Sequence, residues 1–246
     1  MSLEKQLAES GAWLFRWRSY LPLILIAIIF PAMLDYQYLF GSPAYDLYWE
    51  ITCLLITFFG LSVRCYTIGY TPKSTSGRNT RKQVAEDLNT SGIYSVVRNP
   101  LYLGNFFMML GVSMYPRVWW VSIIFVLGFW LYYERIIMAE ESFLKNKFGA
   151  KYEDYSSRTP AFIPKLNLWR PNKLSFSLRN VLKREYSGFF GAISAFTALN
   201  FAKNYIVEGN PVLDAVWAYI FVFGLVVYLA LRTLKKNTKL LHVEGR

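Results

Sequence analysis

The chain has 246 residues, is 54% hydrophobic and 18% aromatic, and carries a formal net charge of +11. Its apolar residues gather in runs too long for a soluble core, which excludes an ordinary cytosolic domain. The basic residues gather in the loops between those runs, a membrane-protein pattern that excludes nucleic acid as the reason for the positive charge.

Taken in chain order, a short segment with Lys5, Arg16 and Arg18 precedes the first apolar run, Tyr20 to Phe40. That run contains Asp35 and is followed by no small-residue cleavage site, so it reads as an anchor and not a signal peptide. The second run, Leu47 to Tyr70, holds both cysteines, Cys53 and Cys65, as small apolar filler with no metal role. Leu101 to Tyr115 is shorter than the roughly 20 residues a crossing needs. Gly111 and Pro116 are placed to turn it back into the next run, Trp119 to Met138, as a tilted hairpin. Two further runs, Tyr186 to Val207 and Val212 to Leu234, follow a basic stretch from Asn167 to Glu185 that suits the membrane surface.

The expected fold is therefore all-α: a single polytopic membrane domain, residues 1–246, of about six spans with a helical hairpin before a pair of glutamates. Lysine and arginine fill the segments before the first run, after the second, from Lys145 to Arg184, and in the tail from Arg232. The other side keeps only Arg117 and Lys203. This asymmetry predicts both termini and all long polar loops on the cytoplasmic side.

Two of those loops carry candidate chemistry. From Thr71 to Tyr102 the chain is polar and glycine-punctuated, with a turn signal at Thr90, Ser91 and Gly92. Asn99 is biased to an extended conformation by Pro100, which suits the first turn of the following helix. Read singly, Arg98 is an interface anchor and Tyr94 and Tyr102 belong to an aromatic belt. The second loop begins on the helix bearing Glu134, Glu140 and Glu141, carboxylates that are costly at a membrane surface unless paired or used. Glu134 and Glu141 share a helix face, and Glu140 is turned by about 100° from Glu141. A solvated patch paired with Arg135 or Lys145 remains the plain alternative.

Together the two loops resemble the membrane methyltransferases that include isoprenylcysteine carboxyl methyltransferase and phosphatidylethanolamine N-methyltransferase. Their shared pattern is G-x-Y-x-x-x-R-H-P-x-Y-x-G, then a helical hairpin and E-E. Gly92, Tyr94, Arg98, Pro100, Tyr102, Gly104, Glu140 and Glu141 match it, as do Phe148-Gly149, Tyr152, Tyr155 and Phe162-Ile163-Pro164 beyond. The family histidine is Asn99 here, and the only histidine, His242, lies in the tail. The resemblance covers a core of residues 64–164, leaving 165–246 as the basic segment and two C-terminal helices.

The resemblance implies S-adenosylmethionine as cofactor, held by Gly92, Tyr94, Arg98, Asn99, Pro100, Tyr102, Gly104, Glu140 and Glu141. It implies Arg98 and Arg135 as catalytic candidates and a membrane lipid as acceptor, and with no histidine Glu134 is the catalytic candidate for a base should the acceptor be an amine. Arg78, Arg81 and Lys82, set among Thr, Ser, Gly and Asn, suit a phosphate-bearing headgroup. A prenylcysteine carboxylate and a phospholipid amine are the alternative acceptors.

Two other classes fit the sequence less well. Membrane sterol reductases share an R-H-P-x-Y turn but pair it with a K-Y-G-x-x-W-x-x-Y closure, which this chain lacks. A transporter would group ionisable residues at the midplane or carry an internal repeat, and neither is evident.

Overall fold

In the computed structural model, residues 3–72, 85–207, 209–243 and 245 are described, and their regular structure is helical, with no strand among them. The helices are α1 (Leu3–Trp17), α2 (Leu21–Ala32), α3 (Asp46–Gly69), the single turn α4 (Ile93–Val96), α5 (Pro100–Met114), α6 (Trp119–Phe148), α7 (Ala150–Arg158), α8 (Leu178–Ile206) and α9 (Ala215–Asn237). The chain is all-α and polytopic. Four stretches, Pro22–Gly41, Pro43–Gly69, Trp119–Phe148 and Ala215–Asn237, are long and apolar enough to cross a membrane. α5 is shorter, and α8 is diluted by Ser187, Ser194, Thr197, Asn200 and Asn204.

The helices α2, α3, α5, α6, α8 and α9 alternate in direction, which their end contacts make plain. At one end Arg64 of α3 meets Asn105 of α5 and Glu185 of α8. At the other end Trp49 of α3 donates to the Met114 carbonyl of α5, and Lys203 of α8 donates to Asp46 and Glu50 of α3. α3 and α5 approach closely because glycines face each other's backbone. A Cβ on Gly60 would lie 2.5 Å from the Gly104 carbonyl oxygen, and one on Gly111 would lie 2.3 Å from the Cys53 carbonyl oxygen.

Gly111 thus has a different task from the turn expected of it: it lets α5 press against α3, and the chain reverses at Tyr115 to Val118 instead. The first apolar run breaks earlier than its length predicts. α2 ends at Ala32, after Pro31, and a short 3-10 turn, Met33–Asp35, follows. α6 continues ten residues past Met138, carrying both glutamates on a rigid helix. The basic stretch after Asn167 is only partly surface chain. Ser177 caps α8 by accepting from the Asn180 amide, so Leu178 to Glu185 are the first two turns of a long helix.

α1 is the element composition hides most. It runs back along α6, with Phe15 buried and Tyr132 donating to the Leu14 carbonyl at 2.8 Å. Gly11 permits the contact, since a Cβ there would stand 1.9 Å from the Arg135 carbonyl oxygen.

Candidate functional site

The candidate site lies where α1, α5 and α6 meet. Pro100 opens α5 at its first turn, as expected of a proline there, while Asn99 is non-helical but short of the extended conformation expected of it (φ −120°, ψ 58°). This sets Tyr102 toward α6, where its hydroxyl donates to Glu140 Oε1 at 2.8 Å. Tyr133, one turn pair before Glu140 on the same face, packs against Tyr102 at 4.7 Å between ring centroids and stacks on Phe129 at 4.1 Å. Asn105 donates to the Tyr133 hydroxyl at 3.2 Å and accepts from Arg64, which grips Glu185 with two bonds of 2.8 Å. A polar chain therefore links α8 to Tyr133, and the packing of Tyr133 on Tyr102 carries it on to Glu140.

From the other side comes Arg18, just past α1. Its Nη1 lies 3.3 Å from the Tyr102 hydroxyl and 3.7 Å from Glu140 Oε1, and its guanidinium sits 3.8 Å above the Phe15 ring. Glu140 keeps a quarter of its side chain exposed (25%). A carboxylate that is mostly buried but still open at one side, hydrogen-bonded to a phenol beside the Tyr102–Tyr133 ring pair, is prepared to take a cation.

Arg98 and Glu141 form a second, separate unit. Arg98 Nε and Nη2 both donate to Glu141 Oε1, at 2.9 and 2.6 Å, and Nη1 donates to the carbonyls of Ser156 and Thr159 at 2.6 and 2.8 Å. The guanidinium is thus occupied in holding the chain after α7. That chain runs as a strap along residues 92–99. Arg98 N bonds Pro160 O, Lys165 N bonds Val96 O, and Gly92 N bonds Arg170 O, all at 2.9 Å. Asn99 Nδ2 adds a bond of 3.0 Å to the Ala161 carbonyl. Gly92 (φ +59°) is required, because a Cβ would stand 1.7 Å from Asn172 Oδ1. Tyr155 donates to the Tyr94 carbonyl at 2.7 Å. Burial pushes the Tyr94 phenol up to about 12, so it is neutral and offers a hydroxyl and a ring face.

Lysine cannot reproduce the forked geometry of Arg98. Arg98→Lys is therefore expected to loosen the strap by about 2–3 kcal/mol, the worth of one or two charge-assisted bonds. Faster hydrogen exchange at 156–165 than in the wild type is the check; unchanged exchange there would show that the strap is held by its backbone bonds alone.

The residues singled out from sequence are thus divided. Tyr102 and Glu140 meet directly, and Arg98, Asn99, Gly92, Pro100 and Glu141 build the frame around them. Gly104 serves the helix crossing, with Arg64 Cγ 2.5 Å from where a Cβ would stand. Glu134 and Arg135 are exposed on α6, on another side of the helix from Tyr133 and Glu140. Arg78, Arg81 and Lys82 lie outside the described residues. Arg18, Asn105, Tyr133 and the Arg64–Glu185 pair were missed. The one available signal was Glu185, the one carboxylate of α8, standing where its basic first turns give way to the apolar stretch.

Residues 51–151 match the family model described as phospholipid methyltransferase. The chain is 36% identical over 134 residues to the cobalt-zinc-cadmium resistance protein CzcN of Cupriavidus metallidurans, covering 54% of this chain and 59% of that protein. It is 33% identical over 156 residues to the nickel-cobalt-cadmium resistance protein NccN of Alcaligenes xylosoxydans, covering 63% and 65%. The protein-S-isoprenylcysteine O-methyltransferase of Schizosaccharomyces pombe is 38% identical over 77 residues, covering 31% and 33%. The chain thus spans about three fifths of the first two relatives. No solved structure matches it significantly.

Proposed function

We propose that this chain is an integral membrane methyltransferase that uses S-adenosylmethionine and modifies a membrane-held acceptor. The observation that carries the reading is the Tyr102–Glu140 pair, set on two of the helices that the family match spans. S-adenosylmethionine supplies an electrophilic methyl group on a sulfonium cation together with an α-ammonium and an α-carboxylate. The residues fit such a molecule. Glu140 takes the ammonium, and the faces of Tyr102 and Tyr133 stabilise a cation beside it. The Arg98–Glu141 pair, the Asn99 bond and the strap keep these groups in place and keep water from the site.

Methyl transfer is an in-line displacement, so an acceptor that is already anionic needs positioning but no base. Asn99 stands where the family has histidine and spends its amide on the Ala161 carbonyl, which favours an oxygen anion over an amine. The acceptor class is therefore a membrane-held phosphate or carboxylate, with the phosphate-bearing lipid or glycolipid headgroup preferred; an oxygen acceptor is what the name of the isoprenylcysteine O-methyltransferase relatives gives. The end of the bundle bearing the site faces the cytoplasm. Lysines and arginines crowd that end, while Arg117 and Lys203 at the far end are spent on Asp46 and Glu50.

The test is incubation of the purified protein with methyl-tritiated S-adenosylmethionine and total membrane lipid, followed by organic extraction. Label should enter the lipid fraction, and base-labile label would mark an ester. Donor that is never retained, or oxidation of NADPH in its place, would overturn the reading.

A further inference from the structure

We propose that Arg18, outside the matched segment, completes the cofactor subsite by binding the α-carboxylate of S-adenosylmethionine, opposite the ammonium held by Glu140. The inference rests on the donor assignment above and adds a residue from a part of the chain that assignment does not use.

Three observations carry it. An α-amino acid head needs an acid and a base within a few ångströms of each other, since its two charges sit on one carbon. Arg18 and Glu140 satisfy this, 3.7 Å apart with the Tyr102 hydroxyl beside both. Second, the arginine of the matched motif, Arg98, already gives Nε, Nη1 and Nη2 to Glu141, Ser156 and Thr159. Third, the chain invests in delivering Arg18. Gly11 and the Tyr132–Leu14 bond lay α1 on α6, and the helix ends at Trp17 in a 3-10 turn, Arg18–Tyr20, before α2 begins at Leu21 with Pro22 in its first turn. Phe15 supports the guanidinium from below.

The neighbouring Glu140 also decides between ligands. A lone anionic acceptor group placed on Arg18 would face a carboxylate at 3.7 Å, whereas a zwitterion meets an opposite charge at both ends. A zwitterionic phospholipid headgroup offers the same two charges, so the experiment must separate it from the donor.

Decarboxylated S-adenosylmethionine keeps the ammonium, sulfonium and adenosine but lacks the carboxylate. Wild-type protein in lipid-free detergent should prefer S-adenosylmethionine over this analogue by about tenfold, the worth of one charge-assisted bond. Arg18→Gln should abolish that preference while leaving affinity for the decarboxylated analogue within about twofold. Arg18→Lys should restore part of it. If Arg18→Gln keeps the full preference, the proposal is overturned even though donor binding stands. Loss of bound phosphatidylethanolamine in that variant would then name the headgroup as the occupant. If neither molecule binds wild-type protein, the donor assignment itself fails.

Discussion

Glu140→Gln is expected to weaken retention of S-adenosylmethionine by about tenfold to a hundredfold, while Glu141→Gln weakens it less and acts through the fold. The difference follows from their partners. Glu140 is bound only at its edge, by Tyr102 at 2.8 Å and Arg18 at 3.7 Å, and keeps part of its surface open. Removing its charge removes a charge-assisted contact worth about 1.5–3 kcal/mol to a cationic ligand. Glu141 holds Arg98 at 2.6 Å, and through it the carbonyls of Ser156 and Thr159. Its loss leaves Arg98 without its counter-charge, so hydrogen exchange in the strap should rise together with the loss of affinity. Equilibrium binding in detergent, with exchange measured on the same preparations, separates the two. Equal loss of affinity from both variants with unchanged exchange would show that the paired glutamates act together on the donor, as the sequence motif alone suggests.

That division could not be read from the motif, and the reason is geometric. Adjacent residues on a helix differ by about 100°, so one member of the pair must turn from whatever the other faces. Sequence tells which residues are neighbours but not which way the helix is rotated, and rotation here is set by α1 and α5. The same ignorance made Glu134 attractive, because it shares a face with Glu141. The face that matters is that of Tyr133 and Glu140, fixed by the packing of Tyr133 and Glu140 against Tyr102 of α5. Hydrophobic runs found the long helices well, because length in an apolar stretch needs no tertiary information. α1 escaped for the opposite reason. Its burial comes from one glycine contact and one phenylalanine, and its tryptophans, Trp13 and Trp17, are exposed. The start of α5 at Pro100 was legible because proline suits a first helical turn locally. The interhelical partners Arg64 and Glu185, 121 residues apart, were not.

The far end of the bundle supplies the largest expected effect on stability. Lys203 reaches Asp46 at 2.9 Å and Glu50 at 3.0 Å, Tyr115 donates to Glu50 at 2.9 Å, and Tyr36 donates to Asp46 at 2.7 Å. Arg117 also pairs with Asp46, so two cations balance two carboxylates in a buried cluster. Replacing Lys203 by Met leaves the cluster one negative charge in excess with no water to screen it. Breaking a buried pair from one side costs about 3–5 kcal/mol, and here the broken contact is the one that pins α8 to α3 at this end. Lys203→Met is therefore expected to unfold much faster on heating in detergent, a kinetic readout suited to membrane proteins that unfold irreversibly. Adding Glu50→Gln restores neutrality and should recover part of the loss, so the double variant is more stable than Lys203→Met alone. Donor affinity should be unaffected, because α8 is held separately at the site end by Glu185 and Arg64. If the second substitution lowers stability further, Lys203 acts by packing and hydrogen bonding, and charge balance is not what the cluster maintains.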